Sequence, residues 1–341
     1  MRSTKINRRG ALLGAAGAAG AAGAMAALPG VAHAAPGGPP TASGHLYEIG
    51  AGKQRVVVGG VAASMLSWKA DGQEMLLTHD PDDVGEGYQG KTILPWANRI
   101  DHGAYTFEDQ ELQVAINEPE RDAALHGLMS FVEWSPVHHR ADAVVLEHVL
   151  PPDYGYPFQL AFRIEYRVDD RGFSSTLSAT NVGRGPAPFG TANHTYLAAA
   201  PGTRIDDIVL EIPADTYYVV NDRLIPTGTA QVEGTDYDFR TARPIGDTEM
   251  DTAFTGLHHA GGEAVVRFGR PDVDVELWVD GTHRYLQVYT DDDPSTDRPG
   301  RAGLTVEPMT LAPNAFVTGD GLIVLQPGQT HTGSWGYRLA G

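Results

Sequence analysis

Five short blocks carry the residues whose types suit proton transfer: Asn98-Arg99-Ile100, Leu125-His126-Gly127, Asn193-His194-Thr195-Tyr196, Met250-Asp251-Thr252 and Glu307-Pro308. Histidine titrates near neutral pH, so it serves as a proton donor, and a carboxylate serves as the matching base. Arginine presents its donors in a fixed fork that fits paired hydroxyls. A glycine after His126 allows a ligand or a backbone to come close. Taken singly, each block has a plain structural reading. His194 is then a histidine satisfied by hydrogen bonds at a strand end, and Glu307 is a surface glutamate of an acidic chain.

In this order and spacing the blocks resemble the active-site blocks of the aldose 1-epimerases, also called galactose mutarotases. The resemblance runs from about residue 45 to 340. It implies that the α and β anomers of a free sugar are interconverted through the open-chain aldehyde. By the same match His194 protonates the ring oxygen and Glu307, followed by Pro308 and then Pro313-Asn314, is the base. His126 hydrogen-bonds near the ring oxygen. Asn98 and Arg99 open a β-hairpin from which Arg99 reaches sugar hydroxyls, and Asp251 holds others. Gln287 and Tyr289 match a family strand near the pocket, and Asn221 to Gly228 resembles a family turn before the aspartate. Pro95-Trp96 before Asn98-Arg99, and Asn117-Glu118-Pro119 before His126, look closer to a bacterial subgroup than to typical galactose mutarotases. The resemblance implies no cofactor.

These residues need a rigid frame, and the sequence reads as strands throughout. Leu160 to Val168 alternates apolar with polar, and Ala143 to Leu150 is rich in β-branched residues. Arg55 to Val58, Ser64 to Trp68, Phe173 to Ala179, Ile208 to Ile212, Ala264 to Phe268, Val273 to Val279, Arg284 to Tyr289, Gly321 to Gln326 and Thr332 to Leu339 read likewise. Turn residues such as Asp169-Asp170-Arg171-Gly172 and Asp280-Gly281 separate them. No helical stripe exceeds about two turns. The expectation is an all-β fold, a large antiparallel β-sandwich of two sheets packed face to face, in one domain over 45–341. The family resemblance implies the galactose mutarotase-like form of that sandwich. Gly303 to Met309 also alternates, with Pro308 expected to end the strand or to place it at an edge. Trp96, Tyr196 and Trp278 are aromatics able to stack on a sugar face or to fill the core.

The first 34 residues read as an export signal. Arg2, Lys5, Arg8 and Arg9 precede a mildly apolar Ala/Gly run, Arg8-Arg9 resembles a twin-arginine motif, and Ala32-His33-Ala34 supplies a cleavage site. Residues 35–44 read as a flexible leader. The absence of cysteine fits a protein exported already folded. Residues 1–34 hold four of the 25 Lys+Arg and none of the 43 Asp+Glu, which leaves 21 cations against 43 anions, a net −22. Such a surface repels nucleic acid and anionic membranes, and it favours a free neutral monosaccharide over a sugar phosphate. Asp291, Asp293, Ser295 and Asp297 alternate like the start of a calcium loop, but Thr296 and Ala302 stand where that loop needs Gly and Glu. His138-His139 and His258-His259 cannot place both rings on one strand face. No metal is expected, and no ligand cluster in the inferred site. The rival readings are a non-catalytic sugar-binding protein on the same fold, a hexose-6-phosphate 1-epimerase, and a glycoside hydrolase or lyase.

Overall fold

The computed structural model describes residues 40–292 and 300–341. The expected export signal, most of the leader, and Asp293 to Asp297 of the calcium-like loop lie outside those residues. Strand formation follows the period-two pattern. Leu160–Val168 buries Leu160, Phe162, Ile164, Tyr166 and Val168 and turns Arg163 and Arg167 to solvent. It pairs antiparallel with Ala143–Leu150 on one side and Gly172–Asn181 on the other. Thr330–Leu339, Asp274–Asp280 and Glu263–Gly269 extend this sheet, which has nine strands.

A second sheet has eight strands. Its path runs Pro226–Gln231, Ala214–Val220, Asp251–Leu257, Tyr285–Tyr289, Gly303–Met309, Ala192–Asn193 and Thr92–Ile93, and Tyr196–Ala198 also pairs with Gly303–Met309. The Tyr166 hydroxyl links the two sheets. It donates to the Ala63 carbonyl at 2.8 Å and lies 3.3 Å from Thr92 Oγ1. Side chains of both sheets merge into one buried cluster that includes Trp68, Phe162, Phe189, Leu286 and Val306. Each large apolar side chain so buried stabilises the fold by about 1.5–3 kcal/mol. The all-β, antiparallel expectation holds, and the one α-helix among the described residues is Ala315–Thr318. Among the described residues no helix is long and apolar enough to cross a membrane.

Pro308 departs from expectation. It lies inside Gly303–Met309, opposite Leu286, in a strand with partners on both sides. On the other flank the ladder lapses between Ala192↔Met309 and Tyr196↔Thr305. That gap accommodates a residue without an N–H, and the segment that leaves the ladder there carries His194.

Candidate active site

Cross-strand register assembles half of the site. Glu307 stands opposite Gln287, and Gln287 stands opposite Ala253, two residues from Asp251. Tyr289 is opposite both Asp251 and Thr305, and Thr305 is opposite Tyr196. Side chains in these positions share one face of the sheet. Asp251, Gln287, Tyr289, Glu307 and Tyr196 therefore project together, and Gln287 Nε2 donates to Asp251 Oδ1 at 2.5 Å. His194 enters from the gap in the ladder. Its backbone N–H is held by the Lys91 carbonyl at 3.0 Å, and its Nε2 lies 3.4 Å from Glu307 Oε1.

The other half comes from a small two-stranded pair, Arg99–Asp101 with Ala123–Leu125. Arg99 faces Leu125, which brings the next residue, His126, beside it. Asn98 and His126 both adopt left-handed backbone, with φ of 55° and 56°. The two are tied together, because the Asn98 N–H donates to His126 Nδ1 at 3.3 Å and the His126 N–H donates to the Asn98 carbonyl at 3.0 Å. With Nδ1 accepting, the neutral His126 ring carries its proton on Nε2. Asn98 Oδ1 is used locally, on the Arg99 N–H at 2.9 Å. Gly127 is required here. A Cβ would lie 1.9 Å from the Leu94 carbonyl oxygen, and its φ is +67°.

Arg99 donates a bidentate pair to Glu118, Nε to Oε2 at 2.7 Å and Nη2 to Oε1 at 2.8 Å. Arg121 Nη1 reaches the same carboxylate at 2.9 Å. The fork expected to reach sugar hydroxyls is thus largely engaged within the protein, which leaves Nη1 outside the pair. Burial works against the Arg99 charge, but Glu118, with Asp251 and Glu307 nearby, more than offsets it and holds the pKa above the ordinary value. Glu307 is 2% exposed. Burial, then repulsion from Asp251, pushes its pKa well above the ordinary 4.5, against an opposing pull from Arg99. Burial also raises Asp251. His126 moves the other way: burial, then His194 and Arg99, hold it well below 6.5. It stays neutral and donates a hydrogen bond rather than a charge.

These residues line one cleft of about 660 Å³, to which all eight residues expected from sequence contribute. Its aromatic wall runs through Tyr88, His126, His194 and Tyr196, with centroids 4.6, 5.2 and 5.2 Å apart in turn. Carboxylates and Gln287 line the sheet side. Within it, Glu307 Oε2 and Gln287 Oε1 are buried acceptors with no protein hydrogen bond, and a ligand bearing hydroxyl donors satisfies both. Trp96 and Trp278 are not part of it. Trp96 is 2% exposed and packs on Phe316, and Trp278 lies in the nine-stranded sheet. Glu118 and Tyr88 are site residues whose roles the sequence did not disclose.

One expectation is corrected. The site does contain a cluster with metal-ligand geometry, since one ligand atom each of His126, His194 and Glu307 lie within 4.8 Å of one another. The chemistry of the donors fits a cation poorly. His126 Nδ1 already accepts the Asn98 N–H, so Nε2 presents a proton rather than a lone pair. The arrangement is suited to moving protons: a carboxylate biased toward holding one, a histidine in contact with it, and a neutral N–H donor alongside.

A family model described as aldose 1-epimerase matches residues 45–338. The uncharacterized protein YihR of Escherichia coli K12 is 32% identical over 290 residues, spanning 85% of this chain and 91% of that protein. Human galactose mutarotase is 32% identical over 178 residues, 50% of this chain and 51% of its own. Among solved structures, a GalM/aldose epimerase homologue from C. elegans superposes with a TM-score of 0.78 at 19% identity, covering 86% of this chain and 98% of that one.

Proposed function

The chain belongs to the aldose 1-epimerase family, and from that premise we infer that it interconverts the α and β anomers of a free neutral aldose by acid–base ring opening and closure. The observation that carries the reading is the contact of His194 Nε2 with Glu307 Oε1, at 3.4 Å, in a buried cleft. Glu307 takes the proton of the C1 hydroxyl, the C1–O1 bond becomes a carbonyl, and the bond from C1 to the ring oxygen breaks. That oxygen receives its proton from His194, with the His126 N–H supporting it. Rotation about C1–C2 turns the aldehyde, and reclosure runs the transfers in reverse. Two positioned groups each contribute about 10²–10⁴-fold. A raised Glu307 pKa matches the base to a weakly acidic hydroxyl near neutral pH.

Asp251, Gln287 and Arg99 fix the sugar's hydroxyls while the aromatic wall covers its C–H face. The cleft is lined by five carboxylates, Glu118, Glu120, Asp251, Asp292 and Glu307, against two arginines, Arg99 and Arg121, a balance that disfavours a phosphate ester. The twin-arginine-like start supports work outside the cytoplasm, where free sugars are met. Saturation-transfer NMR on a panel of free aldoses tests the reading, with glucose against glucose 6-phosphate at low salt as one pair. Exchange faster than the buffer rate for the free sugars is expected. No acceleration for any aldose, or a clear preference for the phosphate, overturns it.

A further inference from the structure

The turn Asn221 to Gly228 contributes no residue to the cleft, yet it is built to a definite shape. It joins Ala214–Val220 to Pro226–Gln231 at one end of the eight-stranded path. Asn221 Oδ1 accepts the N–H groups of Arg223 at 2.9 Å and Ile225 at 3.1 Å. The Asn221 backbone closes the same loop, accepting from the Leu224 N–H at 2.8 Å and donating to the Ile225 carbonyl at 3.0 Å. A short amide side chain bonded to the backbone ahead of it stiffens a turn of this kind. The turn thereby presents Arg223 on a braced support.

Arg223 crosses from there to the small strand pair that carries Arg99 and His126. Its Nε donates to the Arg121 carbonyl at 2.9 Å, and its Nη2 to the Asp122 carbonyl at 3.0 Å and to Asp101 Oδ1 at 2.5 Å. Its Nη1 lies 3.3 Å from His102 Nε2. Arg121 ends the single 3-10 turn Pro119–Arg121, and Asp122 caps that turn with a left-handed φ of 48°. Carbonyls at such an end lack partners within the turn and carry partial negative charge, so a guanidinium fork suits them. Glu118 and Arg121 line the cleft, and Asp101 ends the strand that Arg99 begins. One side chain from outside the cleft therefore holds the backbone at Arg121 and the far end of the Arg99 strand. That strand has a second anchor. The Asn314 N–H donates to the Arg99 carbonyl at 3.0 Å, and Asn314 Oδ1 accepts the Asp101 N–H at 3.0 Å.

We propose that Arg223 is a positioning residue for sugar binding: by clamping the Arg121 and Asp122 carbonyls to Asp101, it sets where Glu118 and Arg121 stand and so where Arg99 meets the substrate. This rests on the mutarotase reading above. Arg223 touches none of the reacting atoms and acts through the Glu118 pair, so its effect falls on affinity and leaves the transfers at His194 and Glu307 alone. The side chain is 33% exposed, and solvent weakens its bare charge. The clamp works by geometry, a planar fork that satisfies two carbonyls and a carboxylate at once, and a lysine ammonium does not reproduce it. Asn314 keeps the Arg99 strand in place without Arg223, so the part that depends on the clamp is the Pro119–Arg121 turn.

The test compares the wild type with Arg223→Met, which keeps the apolar stem, and Arg223→Lys, which keeps the charge. Exchange is read by saturation transfer on whichever free aldose the wild type turns over. Arg223→Met should raise KM about 3–30-fold, the range for a residue that acts on a site without touching its ligand, and leave kcat unchanged. Arg223→Lys should recover no more than part of that loss. Both variants should keep the far-UV circular dichroism of the wild type. A second measurement needs no activity. Trypsin should cut after Arg121 faster in Arg223→Met than in the wild type, read by mass spectrometry, because the carbonyl of that bond has lost its cap. An unchanged KM, a loss confined to kcat, full recovery with lysine, or unchanged cutting at Arg121 each overturns the clamp and leaves the proposed function standing. A wild type that accelerates no aldose overturns the proposed function, and the cutting at Arg121 then decides whether the clamp exists.

Discussion

Replacing Glu118 by Gln isolates what holds the cleft in shape. The Glu118 and Arg99 side chains are 6% and 8% exposed and share two hydrogen bonds of 2.7 and 2.8 Å. Removing one partner of a buried pair costs about 3–5 kcal/mol, because the other charge stays desolvated and uncompensated. An amide keeps one acceptor, which sets the expected loss near the lower end, about 3 kcal/mol. For a domain of this size each kcal/mol moves Tm by roughly 2–4 °C, so a fall of about 6–12 °C follows. Arg99 would lose its pinned geometry, and the KM for the aldose should rise. The kcat should change little, since His194 and Glu307 sit on other elements. Differential scanning fluorimetry and saturation-transfer NMR read the two effects separately. A Tm within about 2 °C of wild type together with an unchanged KM would refute the reasoning. The double variant Arg99→Met/Glu118→Leu sharpens it: with both charges gone, stability should largely return while sugar affinity does not. Failure of stability to return would trace the loss to Arg121 or to packing.

Glu307→Gln should slow exchange about 10²–10⁴-fold and at the same time raise Tm at pH 8. The raised pKa means the folded protein holds a proton that the unfolded chain releases near 4.5, so this group's contribution to stability is complete below that value and lost as pH rises toward the folded pKa. Removing the titration removes the loss, and a Tm at or below wild type would count against it. In the wild type, kcat should fall with acid along a limb lying above pH 4.5; a limb at or below that value would mean Glu307 is not the base. His194→Asn should cost at least about 10²-fold and His126→Asn less, and the reverse order would exchange their roles. Dialysis against EDTA should leave activity intact. Loss restored by zinc would make His126, His194 and Glu307 a metal site, and loss restored by calcium would point to the Asp291–Asp297 segment.

The acid–base residues were legible because each sits in a short block whose neighbours are distinctive. Their convergence follows from register, which a linear pattern does not state. Leu160–Val168 was readable to the residue because clean alternation marks a half-solvated strand, and Ala143–Leu150 because it is a compact apolar run bounded by polar residues. The strand Asp251–Leu257 was not, since Thr252, Thr255 and Gly256 blur its period. Glu118 was visible only as part of Asn117-Glu118-Pro119. Its pairing with Arg99 depends on the fold of a short pair of strands, and nothing local predicts it. Pro308 misled because a proline inside a central strand is tolerated only where the neighbouring ladder lapses, and that gap is made by residues more than a hundred positions away. Trp96 has the composition of a sugar platform but is consumed by the core.

The site's two origins separate its inheritance. The base and the groups beside it belong to consecutive strands whose register permits little drift, since a one-residue slip would turn Glu307 away from the cleft. Arg99, Glu118, His126 and Tyr88 belong to loops and a short strand pair outside that sheet. Substitutions and insertions there can remodel the outer wall while the proton-transfer geometry stays fixed. A directed-evolution library confined to Tyr88, Glu120 and Leu125, which line the cleft from outside that sheet, should therefore yield variants with new sugar preference at little cost in rate, whereas one spread along Gly303–Met309 should yield mostly inactive protein.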